Sequence, residues 1–312
     1  LVLKVQPGDE VIVPSYTFVT SASAFALRGA KLKFVDVDPQ HLCLTTQVVE
    51  KAITSKTRVI IPVHYGGWCG DLDQICELAK NHKLFVVEDA AQAVGASYKQ
   101  KFLGSFGELG CFSFHSTKNI HCGEGGLFVV NDNRFKNQAE MVQEKGTDRQ
   151  AFLDKKADFY TWRTLGSSFL MNEISAAWLF NQLQYLNAVV EMRREIWDFY
   201  ARELSPVAER FGVQVPRPNS ECQHNAHLFY LIFPSEKLKQ NFKSFMLGAG
   251  IQVLEHYVPL HSSPMGQRWG EAVGNMETTL RAHQGLVRLP IYPQMIEKKE
   301  YVVEKILEFW SK

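Results

Sequence analysis

The sequence lacks the signals that mark several common classes of protein. Its 34 lysines and arginines nearly balance its 33 aspartates and glutamates, giving a net charge of +1, so no basic excess predicts binding to nucleic acid or to a membrane surface. No apolar run approaches the roughly 18 residues that cross a bilayer, and no segment has the pattern of a signal peptide. These absences predict a cytoplasmic protein.

The cysteines and histidines also lack the patterns of metal sites. None of the six cysteines forms a C-x-x-C pair, and none has the spacing of zinc ligands. His64, His115, His256 and His261 lie on different predicted elements without ligand spacing. We therefore expect free thiols and no bound metal.

The order of apolar runs predicts an α/β fold. Short runs rich in β-branched residues alternate with longer amphipathic segments, with predicted strands at residues 11–13, 32–35, 59–63, 84–88, 110–114 and 127–131. This alternation is typical of a mostly parallel central sheet flanked by helices. Helical spacing from Glu173 to Glu203 predicts one long connector helix, and the sequence changes character at Ser205-Pro206. We predict a large α/β domain over residues 1–205 and a smaller C-terminal α+β domain over residues 206–312.

Two predicted strands lead into side chains that can carry chemistry. Asp89 follows the strand at 84–88, and Lys118 lies just past the strand at 110–114, ahead of a glycine cluster at 123–126. Ligands of open parallel sheets bind outside the carboxyl ends of the strands, so both side chains are candidates for a site. Taken singly, such an aspartate is more often a helix N-cap, and a loop lysine is more often a solvated charge.

Together these side chains match the needs of pyridoxal 5'-phosphate (PLP). This cofactor requires a lysine that bonds to it as a Schiff base and a carboxylate that keeps its pyridine nitrogen protonated. It also requires hydroxyl and N–H groups at its phosphate and an aromatic side chain on its ring. Lys118, Asp89, Ser113 and Phe18 can fill these roles in that order. Spacing alone leaves PLP as one of several interpretations.

Three stretches resemble one family of PLP enzymes. Residues 8–18 (GDEVIVPSYTF), 88–92 (EDAAQ) and 112–119 (FSFHSTKN) resemble the DegT/StrS-type sugar aminotransferases, and the resemblance extends over nearly the whole chain. It implies the PLP-dependent transferase fold of type I. It also implies an aminotransferase that acts on nucleotide-linked keto sugars.

The resemblance implies a role for each matching residue. Lys118 is then the Schiff-base lysine and proton shuttle, and Asp89 pairs with the pyridine nitrogen. Gln92 lies near the phenolic oxygen of PLP, Ser113 binds the phosphate, and Phe18 packs on the ring. Relatives with histidine in place of the lysine are dehydratases, so Lys118 favours transamination. A homodimer with active sites at its interface is implied as well.

Further stretches narrow the substrate within the family. They resemble the subgroup that forms dTDP-4-amino-4,6-dideoxygalactose for enterobacterial common antigen: residues 62–65, 112–115, 144–147, 160–163, 166–168 and 256–261. We therefore expect L-glutamate to donate an amino group to C4 of a dTDP-4-keto-6-deoxy sugar. The alternatives are a family member that acts at C3 or on a UDP sugar, a PLP-binding inactive or regulatory paralogue, and an α/β binding module without PLP.

The sequence departs from the family pattern at three places. The family carries a Gly/Ser/Thr-rich phosphate-binding segment upstream of Gly8, so we expect the sequence to be a truncated part of the protein. Ser168 stands where many relatives have an asparagine that reaches the partner's phosphate. The loop at 120–123 is one residue shorter than in the subgroup.

Four residues outside the cofactor-binding stretches are candidates for substrate binding. His256 and Tyr257 either line the sugar pocket or pack in the interior. Lys145 and Arg149 either meet a diphosphate or are solvated charges at a helix end.

Four aromatic residues are left with open interpretations. Tyr160 and Trp162 either stack on the nucleotide base or pack in an interface or core. Trp178 and Phe180 belong to the core or to a dimer surface, because they lie on the apolar face of the predicted long helix.

Overall fold

The computed structural model describes residues 1–311. The strands are β1 (Glu10–Pro14), β2 (Lys31–Val35), β3 (Thr57–Ile60), β4 (Phe85–Asp89), β5 (Ser97–Tyr98), β6 (Lys101–Phe102), β7 (Leu109–Ser113), β8 (Gly126–Val130), β9 (Cys222–Gln223), β10 (Phe229–Ile232), β11 (Leu254–Glu255), β12 (Gly270–Ala272) and β13 (Leu286–Leu289). The helices are α1 (Thr20–Ala26), α2 (Thr46–Ala52), α3 (Leu72–Asn81), α4 (Lys136–Gln143), α5 (Arg149–Leu153), α6 (Glu173–Gln184), α7 (Leu186–Ala208), α8 (Glu236–Gly248), α9 (Pro264–Trp269), α10 (Glu277–Gly285) and α11 (Lys299–Trp310).

Seven strands form the central sheet in the order β12-β2-β1-β3-β4-β7-β8. Every neighbouring pair is parallel except β7 and β8, which are antiparallel. The predicted α/β class with a mostly parallel central sheet is therefore confirmed. Because β1 lies between β2 and β3, the order of the strands reverses there, and such a reversal opens a crevice at the carboxyl ends of the strands.

Both faces of the sheet are buried, which explains the continuous apolar runs of the sequence. Val11 and Val13 of β1 pack in one apolar cluster with Phe34. Ile12, between them, packs in another cluster with Ile75 of α3. Neighbouring residues of one strand therefore face opposite sides of the sheet, and neither side is left to solvent.

The C-terminal residues build a second sheet and its helices. β10, β13 and β11 form an antiparallel sheet. The core on this sheet includes Tyr200 of α7, Phe229 of β10, Phe242 of α8 and Ile306 of α11. Thus α7 packs on C-terminal elements, while β12 pairs with β2 in the central sheet. The division into domains at residue 205 stays a prediction.

The predicted connector helix is two helices rather than one. α6 ends at Gln184, Tyr185 leaves the helical region with φ −103° and ψ 9°, and α7 begins at the next residue. α7 then continues through Pro206, past the point where the sequence changes character. Proline lacks an N–H, but Pro206 lies in the last turn, where the buried side chains of Leu204 and Ala208 hold the helix in place.

Three further features concern membrane crossing, disulfides and metal binding. Among residues 1–311, no helix combines the length and the hydropathy that a bilayer crossing needs. All six cysteines are unpaired. Within the same residues, no three His, Cys, Asp or Glu side chains come together as a metal-binding group.

Candidate active site

The carboxyl ends of the central strands carry the residues that the sequence predicted for the site. Asp89 is the last residue of β4, Ser113 is the last residue of β7, and Lys118 lies in the loop after β7. β4 and β7 are parallel neighbours, and Asp89 is paired with Cys111. Phe18 follows β1 at the same edge. The sheet thus gathers residues that are far apart in the sequence.

The Asp89 carboxylate is held by two hydrogen bonds. Ser21 donates its hydroxyl to one carboxylate oxygen at 2.6 Å, and the Ala91 N–H donates to the other at 3.1 Å. The Asp89 main chain is also fixed, because its carbonyl accepts from the His64 N–H at 3.0 Å. The side chain is half-buried, so it is neither a helix N-cap nor a freely solvated group.

Glu88, the residue before Asp89, anchors the end of β4. Its carboxylate is fully buried and accepts from the N–H groups of Gly104 and Gly107 at 2.7 and 2.8 Å. The His64 Nε2 atom lies 2.7 Å from the same carboxylate. Burial favours a higher pKa for Glu88, but the hydrogen bond and charge of His64, together with these N–H groups, hold the pKa below its usual value. Sequence reasoning missed this anchor: it considered His64 as a metal ligand and as part of the stretch at 62–65, but not as a partner of Glu88.

The Lys118 amine lies in the loop without a fixed partner. Among residues 1–311, the Nζ atom forms no hydrogen bond or ion pair. The main-chain N–H of Lys118 donates to the His115 carbonyl at 2.9 Å. Burial lowers the pKa of Lys118; the charge of Asp89 opposes this shift and the charge of Arg288 adds to it. A desolvated amine of this kind loses its proton more readily and is a better nucleophile.

The glycine cluster after Lys118 folds back on the end of β7. The Ser116 N–H donates to the Gly123 carbonyl at 2.8 Å, and the Phe114 N–H donates to the Gly125 carbonyl at 2.8 Å. Gly123 takes φ +82°, which residues with a side chain rarely adopt. The glycines therefore serve the shape of the loop that carries Lys118.

Gln92 is buried with both ends of its amide bonded. Its Oε1 atom accepts from the Gly66 N–H at 2.8 Å, and its Nε2 atom donates to the Tyr257 hydroxyl at 3.0 Å. Burial and the charge of Asp89 raise the pKa of Tyr257 to about 12, against the opposing effects of Arg288 and Gln92. Tyr257 therefore stays protonated at neutral pH, and the structure places it beside the predicted cofactor residues.

His256 and Tyr257 form an aromatic wall at the site. Their rings are stacked at 3.9 Å, and the Tyr65 hydroxyl lies 3.2 Å from His256 Nδ1. Burial lowers the pKa of His256 to about 2, with the charges of Arg288 and Lys118 adding to the shift. The imidazole is neutral at physiological pH. Both side chains are half-buried, and Tyr257 contacts Gln92 and Phe18, so neither is a fully buried core residue.

The crevice offers the groups that PLP needs. The Phe18 ring is 56% exposed, and its centroid lies 6.4 Å from that of Tyr257, so one aromatic face is open. Among the described residues, the Ser113 hydroxyl accepts only a long hydrogen bond of 3.3 Å, from the His115 N–H. With the unpaired Lys118 amine and the oriented Asp89 carboxylate, these residues fit a flat ring that carries an aldehyde, a basic nitrogen and a phosphate.

Arg288 was missed by sequence reasoning. It lies on β13, and its Nε atom is buried without a hydrogen-bond partner among residues 1–311. Together with Lys118 and His227 it lines a cleft of about 1060 Å³. No sequence signal marks it, because a single arginine in a short strand is most often a surface residue.

Lys145 and Arg149 lie elsewhere: Lys145 follows α4, and Arg149 is the first residue of α5. Both pair with Glu144, at 3.4 Å and 3.6 Å. Neither lines the cleft that contains Lys118. Their predicted contact with a diphosphate stays a prediction.

The four aromatic residues with open interpretations are all exposed. Trp162 and Phe180 expose 72% and 69% of their surface, and Tyr160 and Trp178 are exposed as well. Packing in the core of this chain is therefore excluded for all four. The interface and base-stacking interpretations remain.

Comparison with known proteins adds to this geometry. The sequence model of the DegT/DnrJ/EryC1/StrS aminotransferase family matches residues 1–307. The chain is 34% identical over 309 residues to a pleiotropic regulatory protein of Geobacillus stearothermophilus, covering 98% of the chain and 80% of that protein. It is 31% identical over 314 residues to the GDP-perosamine synthase of Escherichia coli O157:H7, covering 100% and 82%. It is 32% identical over 269 residues to a dTDP-4-dehydro-2,3,6-trideoxy-D-glucose 4-aminotransferase of Saccharopolyspora spinosa, covering 85% and 69%.

Solved structures share the fold. The S. venezuelae protein DesV, solved in complex with a ketimine intermediate, superposes with a TM-score of 0.88 at 30% identity, over 100% of this chain and 82% of DesV. The aminotransferase TlmJ from Streptoalloteichus hindustanus superposes with a TM-score of 0.89 at 27% identity, over 99% and 81%. The fold of the chain is therefore that of solved aminotransferases.

Proposed function

Because the chain belongs to the DegT/DnrJ/EryC1/StrS aminotransferase family, we propose that it transfers an amino group from L-glutamate to dTDP-4-keto-6-deoxy-D-glucose and forms dTDP-4-amino-4,6-dideoxy-D-galactose. Family membership makes it a PLP-dependent sugar aminotransferase with the type I transferase fold. The family, fold, enzyme class and cofactor expected from the sequence are confirmed. The observation that carries the proposed transamination is the Lys118 amine, which is desolvated, has no hydrogen-bond partner among residues 1–311 and lies within the influence of the Asp89 charge.

Lys118 is the residue that we assign to catalysis. Bound PLP supplies an electron sink and a carbon that carries the amino group from one substrate to the other. The lowered pKa of Lys118 leaves more of its amine unprotonated near neutral pH, as covalent attachment and proton abstraction both require. Its Nζ atom then accepts a proton from the donor carbon and returns one to C4 of the sugar.

The remaining predicted residues bind and orient the cofactor in this proposal. Asp89 pairs with the pyridine nitrogen, since the bonds from Ser21 and Ala91 fix its carboxylate. Ser113 binds the phosphate with its weakly engaged hydroxyl, and Phe18 covers the ring with its open face. Gln92, held by its two bonds, lies near the phenolic oxygen.

The substrate assignment rests on relatives and on the aromatic wall. One relative bears a name that specifies a dTDP sugar and amination at C4, and another is named for a GDP sugar. His256 and Tyr257 are neutral at physiological pH and present flat rings, which suits the hydroxyl and methyl groups of a deoxy sugar. Lys145 and Arg149 are assigned to the diphosphate. Formation of enterobacterial common antigen is the process to which this product belongs.

A homodimer is part of the proposal. The exposed apolar side chains of residues 152–185 include Phe159, Trp162, Ile174 and Phe180, which are 69–85% exposed. A concentration of exposed apolar side chains is typical of an interface. We refer to it as the apolar surface, and assign it to a second copy of the chain, with the active sites near the interface.

Two rival functions are compatible with the same cofactor residues, and one of them has specific support. A C3 or UDP-sugar aminotransferase of the same family would use the same cofactor residues. A regulatory role is favoured by the relative named a pleiotropic regulatory protein, which is 34% identical.

A panel of keto sugars separates these functions. The PLP-loaded protein is incubated with L-glutamate and, separately, the dTDP-4-keto, dTDP-3-keto, GDP-4-keto and UDP-4-keto sugars, and amino sugars are detected by mass spectrometry. We expect kcat/KM for the dTDP-4-keto sugar to exceed the others by about 10-fold or more, and NMR to show the galacto configuration. A higher value for another sugar contradicts the substrate assignment, and no product from any sugar favours the regulatory role.

A further inference from the structure

Two thiols, those of Cys69 and Cys222, meet beside the turn that holds Gln92. Cys69 follows the turn at Tyr65–Gly67, and Cys222 is the first residue of β9. Although 153 positions separate them in the chain, their Sγ atoms lie 3.5 Å apart. Cys69 belongs to an apolar cluster with Tyr98, which is the ladder partner of Cys222. Core packing and strand pairing therefore hold the two sulfurs together.

The two thiols differ in exposure and in acidity. Cys69 is buried, whereas Cys222 is half-buried. The hydrogen bond that the Cys69 thiol donates lowers the pKa of Cys222, against the opposing effect of burial. The same hydrogen bond, together with burial, raises the pKa of Cys69. Because the thiolate is the reactive form, Cys222 reacts first and Cys69 is the thiol held in reserve.

The remaining cysteines lack this arrangement. Among residues 1–311, no other two cysteines share a hydrogen bond. Burial raises the pKa of both Cys76 and Cys111 to about 12, so these thiols stay protonated at neutral pH. Cys43 is buried, and its thiol donates to the His41 carbonyl at 3.4 Å.

The segments that carry the two thiols hold Gln92 from two sides. In the turn before Cys69, the Gly66 N–H donates to the Gln92 side chain at 2.8 Å. Asn225, three residues after Cys222, donates its Nδ2 atom to the Gln92 carbonyl at 2.9 Å. Asn225 also lies so close to Gly67 that a Cβ atom there would overlap it. A covalent bond between the thiols would therefore join the two supports of Gln92.

We propose that Cys69 and Cys222 are a redox site, at which a peroxide converts the two thiols to a disulfide that clamps the turn at Tyr65–Gly67 to residues 222–225. The Cys222 thiolate attacks one peroxide oxygen, so that an S–O bond forms, the O–O bond breaks and hydroxide leaves. Cys69 then attacks the Cys222 sulfur, so that the S–S bond forms and the S–O bond breaks. The hydroxyl group leaves with the Cys69 proton as water.

The overall reaction oxidises two thiols and reduces one peroxide to two waters, and a dithiol reductant reverses it. Neither step involves PLP or a sugar nucleotide. Because the bond closes a long loop of the chain, it restricts the unfolded state and stabilises the folded one.

The first test detects the bond itself. The PLP-loaded protein is treated with hydrogen peroxide, digested without reductant and mapped by mass spectrometry. We expect one pair of peptides joined at Cys69 and Cys222, which dithiothreitol separates. Cys76→Ala, which removes another half-buried thiol, should give the same pair. In Cys69→Ala, oxidation of Cys222 should proceed to a sulfenic or higher acid, because no second thiol displaces the hydroxyl group. Absence of the joined pair in the native protein, or joining through other cysteines, overturns the proposal.

The second test measures the clamp by thermal unfolding of the PLP-loaded protein before and after oxidation. We expect Tm to rise by roughly 5 °C when the bond forms and to return when dithiothreitol is added. Cys222→Ala treated with peroxide in the same way should show no rise, which separates the bond from oxidation of methionines. If Cys222→Ala does not fold, Cys222→Ser serves in its place. A Tm that stays equal or falls in the oxidised native protein overturns the clamp.

Discussion

Lys118, Asp89 and Glu88 are charged residues that differ in their surroundings and therefore in their roles. Lys118 and Asp89 face the crevice, and Glu88 faces the interior, although Glu88 and Asp89 are adjacent in β4. The alternation of side chains along a strand explains this difference. One carboxylate is therefore free to serve a ligand while its neighbour fixes the end of the strand.

The pH dependence of cofactor capture reports the environment of Lys118. In the cofactor-free protein, the rate of PLP capture rises with pH as the amine loses its proton, and the midpoint lies below the ~10.4 of an ordinary lysine. Asp89→Asn moves the midpoint to lower pH, because the charge of Asp89 raises the pKa of Lys118. Arg288→Gln moves it to higher pH. Stopped-flow absorbance measures the midpoints, and three equal midpoints would show that these charges do not act on Lys118.

Glu88→Gln should destabilise the protein without touching the crevice. Gly104 and Gly107 donate to different oxygens of Glu88, so the NH2 group of a glutamine would face one of these two N–H groups. We therefore expect the free energy of unfolding to fall by about 3 kcal/mol at pH 7. Because the folded-state pKa of Glu88 is lowered, the stabilisation is present at neutral pH and is lost as the pH falls through that value.

Urea denaturation at pH 7 and at acidic pH measures this difference. Glu77→Gln, at an exposed position of α3, is the matched control and should change stability by less than about 0.5 kcal/mol. Equal effects of the two substitutions at pH 7 would contradict the role of Glu88.

The sequence predicted which residues stand at strand ends, but not which buried residues would contact them. Asp89 and Lys118 could be predicted because strand ends in a parallel sheet are recognisable from apolar runs. Arg288 and Glu88 could not, because their importance comes from burial and from partners that are distant in the sequence.

Among the elements, the turn at Tyr65–Gly67 is the one that fixes Gln92. Gly66 donates its N–H to Gln92 and takes φ +75°, and a Cβ atom there would lie 2.3 Å from the Trp68 ring. Both the backbone conformation and the available space therefore require glycine.

Gly66→Ala should lower the free energy of unfolding by about 3 kcal/mol, from the strained φ and the overlap with Trp68. Gly248→Ala, at the end of α8 with nothing within 4 Å of its Cβ position, is the control and should be neutral or slightly stabilising. Thermal unfolding of both variants measures the difference. A Gly66→Ala protein as stable as Gly248→Ala would show that the turn can relax.

The sequence predicted the type of most helices and strands more accurately than their first and last residues. Periodic spacing predicts a helix, but it does not show that Tyr185 interrupts it, because the apolar positions continue on both sides. β12 was missed for another reason: its three residues, Gly270–Ala272, carry no apolar run and are ordered by pairing with β2.

At the scale of the whole molecule, the apolar surface is exposed in a single chain, and a second copy would cover it. If it joins two copies, the double substitution Ile174→Glu and Phe180→Glu should convert a dimer to monomers, because a charge buried in an apolar interface is unfavourable. Leu247→Glu, at an equally exposed residue of α8, should leave the dimer intact. Sedimentation velocity distinguishes the two masses. Identical behaviour of both variants would show that the apolar surface is not the interface.

The sequence predicted the overall fold class better than the way in which its parts pack together. The rhythm of strands and helices predicted the α/β class and the mostly parallel sheet. It did not show that α7 packs with the C-terminal elements or that β12 returns to the central sheet, since both depend on contacts between segments far apart in the chain.

The absorbance of the PLP-loaded protein and of Lys118→Ala, before and after addition of L-glutamate, tests the central claim most directly. The native protein should show the visible band of a covalently bound cofactor and should lose it when glutamate is added. The variant should lack that band, while Lys155→Ala, at an exposed position after α5, should behave as the native protein. A visible band that persists in Lys118→Ala, or that glutamate does not change in the native protein, would contradict the assignment of Lys118 as the residue that holds the cofactor and moves the proton.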